Sequence, residues 1–258
     1  MDYRKIADLT LEKAKARFDE AEVFIESSEA LSIEYYNKDL DQYELSEEAG
    51  FSITVRRGNL WAETYSEHIS EDLIDPMLDL LEDNLAVCEA KPYKSLHKPE
   101  EGETLAKLPY KKAADMDPQL FLDICRTLAD KSLDLTDQVR VVSSSVSAER
   151  GRTLIKNSLG LDREASYSYA LVFNYVVMAQ GDAMENGVSL RLMKDPADLD
   201  LDEMAREAVT EAQENFGGKS LSSGTYKVVL DRKVVASLMS AFASSLSAGQ
   251  VQKGMSLL

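Results

Sequence analysis

Few residues in this chain combine the type and the spacing that chemistry needs. Its two histidines, His68 and His97, stand far apart, with no second ligand at helical spacing. Glu67, Glu71 and Asp72 lie near His68, but no spacing marks them as a set, whereas zinc needs several donors in fixed geometry. The two cysteines, Cys88 and Cys125, sit in separate helix-like stretches and read as reduced core thiols, with a disulfide or a reactive thiol as the alternative. Ser143, Ser144, Ser145 and Ser147 follow the face of a strand, and no Gly-x-Ser-x-Gly elbow occurs. Gly217-Gly218 reads as a helix stop rather than a phosphate loop. With 46 Asp and Glu residues, no pair of carboxylates stands out as an acid–base couple. The residues taken alone describe no self-sufficient active site.

Composition narrows the class. The formal net charge of −17 argues against direct nucleic-acid binding, which needs clustered Lys and Arg at the phosphates. The acids are spread along the chain rather than set in a phosphate-like row, so a solvated surface is a better reading than mimicry of DNA. At 44% apolar and 29% charged residues the chain reads as globular. Its apolar runs are short, so no membrane span is expected. The N-terminus, MDYRKIADLTLEKAKARF, is charged throughout and unlike a signal peptide, which makes the cytoplasm the expected compartment.

The elements that would position any site follow from periodicity. Tyr3, Ala7, Leu11, Ala14 and Phe18 form the stripe of an opening helix. Short strands are expected over Ala21–Glu26 and around Leu31, Ile33 and Tyr35, with a polar strand or loop in DLDQYELSEEAG. Phe51–Val55, a Gly58-Asn59 turn and Leu60–Tyr65 read as a hairpin carrying Trp61. Ser70 is placed to cap a helix with Leu73, Met77, Leu80, Leu81 and Leu85 on its buried face, and Pro76 either kinks it or marks a later first turn. Residues 91–114, rich in Pro, Lys and Glu, read as a connector and subdomain boundary. Asp117-Pro118 then opens a helix. Strands follow over 139–148, 153–157, 165–180 and 187–193, with Tyr167, Tyr169, Leu171, Phe173, Tyr175 and Val177 on one face. A helix through Met204, Ala208 and Ala212 closes the series at Gly217. Residues 2–87 and 117–216 share one order, helix, strands, helix, which points to an internal structural duplication.

One further stretch, Ser223–Gly249, reads as a strand at Val228–Leu230, an N-cap at Asp231 and a helix rich in small residues. This layout resembles the TldD/PmbA family, also called modulators of DNA gyrase or peptide-maturation proteins. The glycine-led hairpin GFSITVRRGNLWAETYSE, the NSLGL turn at 157–161, the NFGGK helix end and SGTYKVVLDRKVVASLM occur in family order across nearly the whole chain. The family often carries Gly after the hairpin aromatic, where this chain has Ala62. In the TldD branch the last helix resembles a metalloprotease helix with His-Glu-x-x-x-His. Setting Leu238-Met239 against the apolar pair before that motif puts Ser240, Ala241 and Ser245 at the His, Glu and second His positions. None of these offers an imidazole or a general base.

The resemblance therefore implies a PmbA (TldE)-like subunit of a zinc metallopeptidase assembly that acts on unfolded or small peptides. It implies no cofactor in this chain, zinc in a TldD-like catalytic partner, peptide substrates, and an oligomer, with a homodimer as a further possibility. The alternative is a regulatory protein-binding module acting on DNA gyrase. The expected fold is α+β, two helix–multistrand–helix units with largely antiparallel or mixed sheets. Residues 1–220 would form the N-terminal domain and 221–258 the start of a C-terminal domain, cut short because family members run further.

Overall fold

The computed structural model describes residues 2–90, 95–100, 116–193, 196 and 199–256. These form two units, Met1–Phe216 and Gly217–Leu258. Of the connector expected over 91–114, only 95–100 falls within the described residues.

The first unit runs α1 (Tyr3–Lys15), β1 (Glu20–Tyr36), β2 (Asp39–Arg57), β3 (Leu60–Ser66), α2 (Ile74–Val87), α3 (Pro118–Leu135), β4 (Val139–Asn157), β5 (Asp162–Gln180), β6 (Ala183–Met193) and α4 (Leu201–Asn215). Its strands make one six-stranded sheet in the order β3-β2-β1-β4-β5-β6. Every pairing is antiparallel. The order is symmetric about the β1–β4 pair, and each side carries two helices, as the repeated order of elements implies. The two units read from sequence thus share a single sheet.

Local chemistry explains most of the boundaries. The Asp2 carboxylate caps α1 by accepting from the Arg4 and Lys5 amides. Asp117 accepts from the Gln119 amide ahead of Pro118, and Asp200 from Glu203. Ser70 makes no side-chain cap; a 3-10 turn over Glu71–Leu73 precedes α2, and Pro76 lies in the first turn of the α-helix, where its missing N–H has no helical partner to lose. The β1–β2 turn places both Asn37 (φ 44°) and Lys38 (φ 78°) in the left-handed region, as the tightest hairpins require. Gly160, at φ 103°, supplies the β4–β5 turn with a conformation that suits glycine.

The strands are longer than sequence suggests. The breaks expected in β1 after Glu26 and in β4 after Ala148 do not occur, and the acidic stretch becomes the first half of β2. β1 pairs along most of its length with β2 on one side and β4 on the other, and this two-sided ladder carries the backbone across its polar middle.

Both helix pairs cover the same sheet face. Ala21, Val23 and Ile25 of β1 join a core with α1, α2, Phe51, Ile53 and Val55. Leu31, Ile33 and Tyr35, on the same face further along β1, join a second core with α3, α4, Val142, Val146 and Val172. One strand therefore serves two cores. On β5 it is Ala170, Val172, Val176 and Met178 that face the helices and are buried. The Tyr167–Val177 row does share a face, as expected, but it is the one without helices, and Tyr167 and Tyr169 are exposed.

In the second unit, α5 (Arg232–Ala243) gives way to a 3-10 turn over Ser244–Leu246, and α6 (Ala248–Gln252) follows. Asp231 caps α5, its carboxylate accepting from the Lys233 amide at 2.7 Å. The strand expected at Val228–Leu230 is not formed; Val228 and Val229 are exposed and pair with no described strand.

Candidate functional site

The helix-free face carries a groove where the two halves meet. Gly50 lies in its floor, and Tyr65 and Tyr167 stand in its walls. A Cβ on Gly50 would fall 2.7 Å from the Tyr65 hydroxyl, and one on Gly151 would collide with the Tyr167 ring. Each tyrosine thus lies over backbone that only glycine leaves open. The pocket between them is about 230 Å³, with Glu26 and Glu149 also in its wall. Glu149 accepts a hydrogen bond from Tyr167 at 2.7 Å and another from Tyr169 at 2.5 Å. These bonds to a carboxylate, aided by desolvation, push the Tyr167 hydroxyl up to about 12 and raise Tyr169 in the same direction. Both tyrosines therefore stay protonated near neutrality and act as donors, not bases. Sequence reading missed this pairing; its signal was a glycine inside each strand with a tyrosine on the neighbouring strand.

A larger cleft of about 580 Å³ lies over the middle of β1 and β4, between the stretches that the two cores occupy. Tyr3, Glu29, Glu47, Arg150 and Arg152 line it. Its cations are matched by acids. Arg150 pairs with Glu29, and Arg152 meets Glu164 at 2.5 Å. Glu164 also accepts from Arg4 at 3.0 Å, and these two guanidinium groups hold its carboxyl below the usual range.

At one end of the helix-free face, Glu20 and Arg56 form a buried pair at 2.6 Å. The Leu96 amide and the Ser95 hydroxyl donate to the same carboxylate at 2.8 and 2.9 Å. Burial opposes ionisation of Glu20, but these three donors outweigh it and hold the carboxyl below its usual range. Asn157 donates to the His97 carbonyl at 2.8 Å. This corner therefore fastens residues 95–97 of the connector to the sheet.

The residues considered for catalysis do not converge. Ser144 is buried and bonded to Asn174, Ser143 donates to Glu34, and Ser147 shares a bond with Ser32. Burial pushes the Cys125 thiol up to about 12, which leaves it protonated and inert, and both cysteines are free. Ser66 ties down the backbone around His68 at the end of β3. Ser240 and Ala241 lie exposed on α5, and Ser245 falls in the 3-10 turn beyond the helix end. From Arg232 to Leu246 the sequence contains no His, Cys, Asp or Glu, so this helix does not fit a zinc ion. Among the described residues, no group of three or more His, Cys, Asp or Glu is placed to hold a metal ion. No helix among the described residues is long and apolar enough to cross a membrane. What the geometry offers is binding surface: aromatic walls, exposed backbone and acidic rims.

Comparison with known proteins agrees with the architecture. A family model described as PmbA/TldA metallopeptidase domain 1 matches residues 21–86, and one described as the central domain matches residues 111–216. An uncharacterized protein of Methanocaldococcus jannaschii is 25% identical over 93% of this chain and 54% of its own length. Among solved structures, a candidate modulator of DNA gyrase from Thermotoga maritima superposes with a TM-score of 0.86 at 21% identity, over 99% of this chain and 58% of that one. TldE from Thermococcus kodakarensis superposes with a TM-score of 0.72 at 14% identity, over 81% of this chain and 47% of its own. At such identities these structures speak for the fold. The chain spans about half the length of the relatives it matches. The two matched models meet the two halves of the sheet in order, and the chain belongs to the PmbA/TldD family.

Proposed function

We propose that this chain is the non-catalytic, PmbA/TldE-like subunit of a TldD–TldE-type metallopeptidase that cleaves unfolded or small peptides. The observation that carries this reading is the donor-free helix. On the alignment with the catalytic branch that the resemblance implies, Ser240, Ala241 and Ser245 take the positions of its imidazoles and carboxylate, in a chain whose family domains are named for a metallopeptidase. The zinc ion and the general base belong to a TldD-like partner. This chain contributes binding surface to the substrate and support to the partner. Extended peptides suit such a subunit because backbone pairing with a sheet edge demands little of side-chain sequence.

A second reading rests on the names of two similar structures, from Thermotoga maritima and Bacteroides thetaiotaomicron, both described as candidate modulators of DNA gyrase. It treats the chain as a regulatory module that contacts gyrase as a protein, since a net charge of −17 opposes contact with the DNA itself.

A peptidase assay on an unstructured peptide separates the two. This chain, a TldD-like chain from the same source, and their mixture are each tested with and without a zinc chelator. The subunit reading expects chelator-sensitive cleavage that requires the mixture. Cleavage by this chain alone overturns the argument from the donor-free helix. A mixture no more active than the TldD-like chain by itself favours the regulatory reading.

A further inference from the structure

β2 is much longer than the strand that covers its outer side. β1 pairs with it from end to end, but β3 pairs only with Phe51–Arg57. Residues 39–50 therefore present a bare strand edge, with no backbone partner on that side among the described residues. Unpaired strand edges recruit other extended chains, and proteins normally shorten, cover or charge them. This one is long and uncovered, and its charge has a single sign.

That charge restricts the occupant. Asp39, Asp41, Glu44, Glu47 and Glu48 are all exposed, and no basic residue occurs between Asp39 and Val55. No described cation pairs with any of the five. The part of β5 beyond its pairing with β6, Asp162–Tyr169, differs on this point: Asp162 and Glu164 are already neutralised by Arg4, Lys156 and Arg152. A second copy of β2 laid against the first would set acid against acid and be repelled. A basic segment would be attracted and held in register.

The register also dictates a pattern. Tyr43 and Leu45 lie opposite Ile33 and Leu31, on the helix-bearing face, yet they are 53% and 61% exposed because α3 packs over β1 and β4 instead. Glu44 and Glu48 project from the opposite face. A strand added in line with β3 would set alternate side chains against Tyr43 and Leu45, with Glu47 beside them, and the rest against Glu44 and Glu48.

We infer that the β2 edge over residues 39–50 binds an extended peptide in which apolar residues alternate with Lys or Arg, by adding it to the sheet as a further strand. The inference builds on the reading of this chain as a peptide-presenting subunit and names the edge and the peptide class. Its test reads binding alone, so it can fail while the cleavage experiment succeeds, and the reverse.

The probe is a fluorescently labelled, capped peptide of about eight residues alternating lysine and valine, long enough to span most of the edge. Anisotropy is read against the full chain. Saturable binding that weakens as salt is raised is expected. A peptide alternating glutamate and valine should not bind, and N-methylation of alternate amides on the pairing edge should abolish binding of the basic one. The double variant Glu44→Lys/Glu48→Lys changes two exposed side chains, and its circular dichroism should match the parent while affinity falls by about tenfold or more. Equal binding of the N-methylated peptide, or equal binding by the double variant, overturns the inference. So does a parent protein that binds no probe, or one that sediments as a dimer converted to monomer by the double variant, since a second copy would then occupy the edge.

Discussion

The two halves of the sheet share one order of elements and hold it together by different chemistry. The first is fastened by charge. Across α1 and α2, Lys13 reaches Asp75 at 2.7 Å and Arg17 reaches Asp79 and Glu82 at 2.7 and 2.9 Å, while Lys5 meets Glu71 just ahead of α2. Its sheet ends in the buried Glu20–Arg56 pair. The second half is tied at its buried centre by neutral contacts, with Arg191 on β6 reaching Glu207 of α4 at 2.7 Å as its helix-to-sheet ion pair. Ser144 donates to Asn174, which donates to Ser132, which donates to the Leu128 carbonyl, a buried chain that ties α3 to β4 and β5. α4 lies against β6 at Gly187, where a Cβ would collide with the Ala208 carbonyl oxygen and fall 2.5 Å from the Ala212 amide. Lys131–Asp202, an exposed pair, is the second half's counterpart of the helix-to-helix links. A shared topology thus leaves open how each layer is held, and the choice sets the response to salt and acid.

The largest effect expected is from Arg56→Met, which strands the Glu20 carboxylate in a buried site. About 3 kcal/mol should be lost, read as a lower midpoint in urea. This variant also tests the acid response. The folded-state pKa of Glu20 is depressed, so its stabilisation is complete above the unfolded value of about 4.3 and is lost as pH falls through the folded value. Without Arg56 that loss of stability on acidification should flatten or reverse.

In the neutral half, Gly187→Ala should cost about 2–3 kcal/mol, because backbone atoms of α4 block the new methyl group. Hydrogen exchange should show α4 loosening while α1 and α2 keep their protection. Uniform loosening of both halves would break the comparison. Asn174→Ala should cost about 2 kcal/mol by leaving the buried Ser144 hydroxyl without its acceptor and Ser132 without the bond it accepts, and removing both hydroxyls as well should recover part of the loss. That cost should not change with salt. The smallest effects should come from Lys13→Ala and Arg17→Ala, each below about 1 kcal/mol and fading as salt is raised, since these pairs are solvated. A salt-dependent Asn174→Ala, or a salt-independent Arg17→Ala, would remove the distinction between the halves.

Sequence alone determined the helices and the caps at Asp117 and Asp231, while the cap expected at Ser70 does not form. A helix bonds internally, so Asp2, Asp117, Asp200 and Asp231 act on amides only two or three residues away. The shared face of Tyr167, Tyr169 and Tyr175 was equally legible, because a strand alternates by covalent geometry. Which face the helices would cover was decided by tertiary structure, since alternation has no sign until a layer packs on one side. Strand length was decided the same way. A strand bonds outward, so the polar middle of β1 became sheet because β2 and β4 flank it, and Val228–Leu230 did not because no described strand meets it. The groove between Tyr65 and Tyr167 and the bare edge of β2 belong to that second class. They exist only where the ends of neighbouring strands fail to coincide or where two distant hairpins meet, and no local pattern records either event.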